Sequence, residues 1–133
     1  MLSEGGVKND DPNGIDERSF RFLCDVCEFA DAIPDGPRTS KLIEQLIAAA
    51  GSIGSNREEA RGASSRREFI RYNEIALRSA NESARWLRAC VARRYGAREP
   101  GVRLLDEARQ MARILAKIVL TAKRNDQGFG SNL

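Results

Sequence analysis

Histidine is absent from the 133 residues of this chain. That excludes imidazole acid–base catalysis, Ser-His and Cys-His nucleophile pairs, and any zinc site built with imidazole. Aromatic residues are 6% of the chain, and runs of β-branched residues are missing, so an all-β fold is disfavoured. No apolar run approaches the ~20 residues of a membrane span. The N-terminal residues lack the basic-then-apolar order of a secretory signal, so a cytoplasmic protein without membrane attachment is expected. Glycine-rich phosphate loops are also missing. The stretch Gly51-Ser52-Ile53-Gly54-Ser55-Asn56 has neither the glycine spacing nor a preceding strand.

Cysteine is scarce and odd in number: Cys24, Cys27 and Cys90. This argues against a disulfide framework. Cys24 and Cys27 form a C-x-x-C, but redox enzymes place that motif at a helix start, where the dipole lowers a thiol pKa. Here it falls inside a helix, with Cys27 on the face of Leu23, Val26 and Ala30. Core packing is the expected role, and redox or metal chemistry is the alternative. No second C-x-x-C completes a zinc site, and no metal or cofactor is expected.

What is present is alanine, leucine, arginine and glutamate. The chain is 41% hydrophobic and 31% charged, the composition of one globular domain. Its net charge of +3 is unevenly divided. Residues 1–60 hold 6 Lys+Arg against 12 Asp+Glu, whereas residues 61–133 hold 16 against 7. A basic half joined to an acidic half can bind polyanions or pair with its own copies.

Residues 1–14 lack periodicity and read as a flexible arm, and residues 125–133 read as a flexible tail. Between them, over 15–124, lie four helical segments. The first spans about Asp16 to Ala32, with Phe22, Leu23, Val26, Cys27, Ala30 and Ile33 at helical spacing. Pro34-Asp35-Gly36-Pro37 stops it. The second starts at a cap on Thr39 or Ser40 and carries Leu42, Ile43, Leu46, Ile47, Ala50 and Ile53 to about Ala60. Gly51 and Gly54 each cost a helix about 1 kcal/mol against alanine. Two such losses in one turn suggest a kink or a very close neighbouring helix, with a break as the alternative. Periodicity continues on both sides, so the helix is expected to run through them, straight or gently kinked.

The third helix opens with Ser65-Arg66-Arg67-Glu68, a capping box, and runs to Tyr95 with Gly96 as its stop. Ile70, Leu77, Ala84 and Val91 recur every seven residues; Ala80 and Leu87 hold the intermediate seam, and Asn73 departs from it. Phe69, Ala76, Ser83, Cys90, Tyr72 and Trp86 widen the apolar face beyond what one neighbour needs. The fourth starts after Pro100-Gly101. Its Leu104, Leu105, Ala108, Met111, Ala112, Leu115, Ile118, Val119 and Ala122 run to about Arg124. Four such helices on short links predict an all-α, antiparallel up-down-up-down four-helix bundle.

The stretch AAGSIGSNREEARGASSRREFIRYNEIALRSANESARWL, from Ala49 to Leu87, resembles a family of four-helix-bundle proteins. That family was first associated with intervening sequences in bacterial large-subunit rRNA genes, and it includes an accessory protein of diversity-generating retroelements. Ser52, Ile53, Ser55 and Asn56 match the family's first block. Ser64 and Ser65 occupy its basic link, and Glu68, Phe69, Ile75, Ala76, Ser79 and Glu82 match later positions. Glu59 matches in type with shifted neighbours. Gly54 stands where the family has a kink proline, Arg57 where it has an apolar residue, and Arg78 where it has a small one. The resemblance implies an antiparallel bundle assembled as a homopentamer, without enzymatic activity. For the retroelement member it implies nucleic acid and a reverse transcriptase as partners.

Three groups of polar residues stand out. Ser52, Ser55, Asn56 and Glu59, with Glu68 across the link, form a polar cluster whose expected role is structural, since no base accompanies the serines. On the third helix, Arg71, Arg78 and Arg85 share a face with Glu74 and Glu82, and Glu74–Arg78 is a favourable i,i+4 pair. On the fourth, Arg109, Arg113 and Lys117 are spaced four apart and Arg124 follows on the same stripe, with only Asp106 nearby. Like charges at that spacing repel by about 0.2–0.5 kcal/mol per pair. The row is therefore either simply solvated, or it meets an anion: the phosphates of RNA or DNA, or the acidic half of another subunit. The expected function is a non-enzymatic oligomeric scaffold or adaptor that binds nucleic acid there. The alternative is a structural protein-interaction module that uses the basic surface between subunits.

Overall fold

The computed structural model describes residues 14–131, with side chains through Asn125. The expected arm and tail lie outside the described residues, apart from Gly14, Asn125 and the backbone of 126–131. Four helices follow in order: α1 (Ile15–Asp31), α2 (Pro37–Arg61), α3 (Arg66–Arg93) and α4 (Arg98–Ser131). No strand occurs among the described residues. Helices α2 and α3, and α3 and α4, pack most extensively; α1 lies against α2 and α4. One core results, lined by Phe22, Val26 and Phe29 of α1, Leu46, Ala50 and Ile53 of α2, Ala76, Ala80, Leu87 and Cys90 of α3, and Leu104, Ala108, Met111 and Leu115 of α4. Each large side chain buried this way contributes about 1.5–3 kcal/mol.

Helix α2 is continuous through Gly51 and Gly54, as the uninterrupted periodicity predicts. A Cβ on Gly54 would lie 3.1 Å from the Ser19 hydroxyl of α1, so the missing side chain lets the two helices approach. The second helix begins earlier than a cap at Thr39 or Ser40 would allow. Gly36 is the N-cap and Pro37 the first helical residue, where proline's absent N–H costs nothing. Thr39 Oγ1 instead donates to the carbonyls of Pro34 and Gly36.

The capping box at Ser65 forms in part as expected: the Glu68 N–H donates to Ser65 Oγ at 3.1 Å. The Glu68 carboxylate reaches one residue further back, accepting from Ser64 N and Ser64 Oγ. Helix α3 ends at Arg93, before Tyr95, because Arg94 takes the left-handed cap conformation at φ 62. Gly96, also left-handed, serves the turn into α4; a Cβ there would lie 2.7 Å from the Phe29 ring. Helix α4 starts at Arg98, so Pro100 sits in its first turn, where no intrahelical N–H is required. Its backbone stays helical past Arg124 to Ser131.

The heptad of α3 is displaced from its expected place. Ile70, Leu77, Ala84 and Val91 are only half-buried, and the centre of the interface is the small and polar set Asn73, Ala76, Ser79, Ala80 and Ser83. The expected core packing of Cys24 and Cys27 also changes. Cys24 is exposed and Cys27 half-buried on α1, so only Cys90 is a core thiol. Burial pushes the Cys90 thiol up to about 11.

Candidate nucleic-acid interface and the polar interior

Two groups of polar side chains have opposite surroundings. The first lies inside, where α1, α2 and α3 meet. Arg57 of α2 is 4% exposed and Asn73 of α3 is fully buried. Arg57 Nε donates to Asp16 Oδ1 of α1 at 2.8 Å, and Arg57 Nη1 donates to Asn73 Oδ1 at 2.8 Å. Arg61 Nη1 adds a 3.1 Å bond to Asp16 Oδ2. Asn73 Nδ2 donates to the carbonyl of Phe69 at 2.9 Å, within its own helix. In sequence, Arg57 and Asn73 are two separate exceptions to apolar patterns. In space each satisfies the other. Register across helices is the missing signal, since nothing in either helix alone pairs position 57 with position 73.

A hydroxyl seam continues this interior between α2 and α3. Ser79 Oγ donates to Ser52 Oγ at 2.8 Å, Asn56 Nδ2 donates to Ser52 O and Oγ, and Ser83 Oγ donates to the Ser79 carbonyl. The seam gathers Ser52 and Asn56 of the predicted cluster and joins them to Ser79, which the sequence offered only as a family-matching position. It excludes two others: Ser55 is exposed and bonds only locally to Ser52 O, and Glu59 is exposed. Glu68 is spent on the α3 cap. Ile53 is fully buried core and Glu82 is exposed. Hydroxyls that bond one another and the backbone, with no base beside them, are held as structure.

The second group lies outside, on α4. Arg109, Arg113, Lys117 and Arg124 are all exposed. The ion pairs among the described residues use Arg18, Arg57, Arg61 and Lys123, so none involves the row. Asp106, which shares the helix face of the row, accepts from Gln110 at 2.7 Å. Gln110 in turn accepts from Arg18, whose guanidinium makes a two-pronged contact with Glu107 at 2.7 and 2.9 Å and so clasps α1 to α4. Those Glu107 hydrogen bonds hold the Arg18 guanidinium above its ordinary value. Glu74 pairs with Lys123 of α4 at 2.7 Å, in place of the expected i,i+4 bond to Arg78. This pairs one cation of α4 and leaves Arg109, Arg113, Lys117 and Arg124 along one face, with Arg98 and Arg103 also exposed near the helix start.

Residues 13–117 match the 23S rRNA-intervening sequence protein family. The chain belongs to that family. A crystal structure of a protein of unknown function from the S23 ribosomal protein family of Bacteroides thetaiotaomicron is similar to it, with a TM-score of 0.71 and 25% identity. The match covers 79% of this chain and 97% of that one. No curated protein gives a significant match. The family match thus spans α1 to α3 and the first part of α4, including Arg109, Arg113 and Lys117 and leaving Arg124 beyond it. Among the described residues no helix is long and apolar enough to cross a membrane, and no three metal-ligating side chains gather.

Proposed function

We propose that this protein is a non-enzymatic, homo-oligomeric helical scaffold that binds the phosphate backbone of RNA or DNA through Arg109, Arg113, Lys117 and Arg124. The observation that carries this reading is the row itself: four exposed cations along one helix face, without an ion pair among the described residues. Phosphates supply the counter-charge that the chain withholds, and contacts of this kind are largely independent of sequence. The non-enzymatic part of the reading is supported by the internal use of the serine hydroxyls.

An antiparallel up-down-up-down bundle is supported by the order of cross-helix partners. From α1 to α2, Asp16 meets Arg57 and Ser19 approaches Gly54. From α2 to α3, Arg57 meets Asn73 and Ser52 meets Ser79. From α3 to α4, Glu74 meets Lys123 and Val91 approaches Gly101. Rising numbers on one helix meet falling numbers on the next throughout. Five copies is the assembly the family resemblance implies, and a reverse transcriptase encoded beside the chain would be its protein partner under the retroelement reading.

A second reading places the row between subunits. It is favoured by Val102 and Leu120, which are 42% and 50% exposed and spaced seven residues from Arg109 and Arg113 on the same face. Gel-shift titration of a variant with all four cations changed to alanine separates the two. Nucleic-acid binding is lost with the oligomer intact under the first reading. Loss of the oligomer itself favours the second, and unchanged affinity with an intact oligomer removes the surface from consideration.

A further inference from the structure

The row alone contains no aromatic side chain, so by itself it offers only charge. Helix packing changes that. A cleft of about 280 Å³ opens between the start of α3 and the second half of α4. Its floor is Phe69, Ile118 and Ala122, and its rim carries Arg66 on one side and Lys117 on the other. Phe69 and Ile118 are half-buried, so the cleft has an apolar base open to solvent, while both cations are exposed. Phe69 is distant in sequence from Lys117, which is why the stripe reads as lacking a stacking partner until α3 and α4 are docked.

We infer that this cleft holds one unpaired nucleobase, seated against the Phe69 ring, with the flanking phosphates carried by Arg66 and Lys117. This rests on the reading of the row as a phosphate-binding surface, and it adds a preference for single-stranded over duplex nucleic acid. Three features argue for that occupant. The volume is near the ~300 Å³ lower end of ordinary ligand clefts, suited to one planar ring. An aromatic ring in the lining beside two cations offers both interactions of single-strand binding, stacking and phosphate neutralisation. Thr121 and Asn125 at the exposed edge add a hydroxyl and an amide that can meet base edges. The cleft also opens directly onto the row, since Arg113 and Arg124 lie along the same face as Lys117. The turn bearing Phe69 is fixed from below, because its carbonyl accepts from the buried Asn73.

Fluorescence anisotropy with a labelled oligouridylate and a duplex of equal length tests this on the full chain. Stacking of one base corresponds to about a five- to 150-fold effect on affinity. Phe69→Leu is expected to weaken single-strand binding by that factor and to leave duplex binding within about twofold. Phe69→Trp is expected to retain single-strand binding. Thr121→Trp, at an exposed position, fills the cleft without touching the core and is expected to reproduce the Phe69→Leu loss even if the latter folds poorly. Equal affinities of wild type, Phe69→Leu and Thr121→Trp for the oligouridylate would overturn the inference while leaving the phosphate reading intact. Parallel losses on single strand and duplex would also overturn it. Failure of the wild type to bind either probe would overturn both.

Discussion

Arginine does opposite work in two parts of this molecule. Arg57 is nearly solvent-free, and its guanidinium donates to Asp16 and Asn73. Arg109 and Arg113 carry the same group into solvent, with no ion pair among the described residues. An unpaired charge costs several kcal/mol inside and almost nothing outside. A charge inside must therefore be partnered by this chain, whereas a charge outside is free to be partnered by another molecule. Structure accounts for the first set, and only the second is available for function.

The sharpest way to break this contrast is to strip the interior of one member. Arg57→Ala should cost about 1–3 kcal/mol in urea unfolding, because Asn73 is left buried with an unmet acceptor while Asp16 keeps Arg61. Replacing both Arg57 and Asn73 by leucine should cost less than the sum of the two single changes to leucine, with a coupling of about 0.5–3 kcal/mol. Strict additivity would show that the two side chains do not act as a pair. Ser79→Ala tests the hydroxyl seam and should cost about 1 kcal/mol, since Ser52 loses one donor but keeps Asn56.

Gly54→Ala sharpens the comparison through backbone proximity. Helix propensity favours alanine by about 1 kcal/mol, but the new Cβ would press on the Ser19 hydroxyl. The change should therefore stabilise the protein more in a Ser19→Ala background than in the wild type, as thermal unfolding of the four variants would record.

The thiols repeat the inside–outside contrast. Maleimide should label Cys24 first and Cys90 last. Burial raises the folded-state pKa of Cys90 from 9.0 to about 11, so the folded state keeps a proton that the unfolded state releases. Its contribution to stability is present below pH 9.0 and is lost as pH rises to about 11, a dependence that Cys90→Ala should remove.

The order of elements was legible in the sequence because helical periodicity marks each segment, but the buried face of α3 was not, because its centre is small and polar while Ile70, Leu77, Ala84 and Val91 lie beside it. Arg57 and Asn73 were not, because each looked like a defect in its own helix and the pairing depends on the register between α2 and α3. The boundary at Pro37 was hidden by the same Pro-Asp-Gly-Pro run that ends α1: one signal both stops a helix and starts the next. The end of α3 shifted because Arg94 adopts the left-handed cap while Gly96 is held against Phe29. The basic row was readable, since its spacing is local to α4. The Phe69 cleft beside it was not, since it exists only where two helices meet.

The smallest effect is expected where the surface is free. Changing Arg109, Arg113, Lys117 and Arg124 together to alanine should alter stability by no more than about 0.5 kcal/mol per site, because exposed positions away from specific contacts tolerate substitution. The same variant gives the most direct test of the central claim, through the salt dependence of nucleic-acid affinity. The logarithm of the binding constant should fall linearly with the logarithm of salt concentration for the wild type, and the slope should lessen by about one for each cation removed. An unchanged slope in the fully folded, fully assembled quadruple variant would contradict the account.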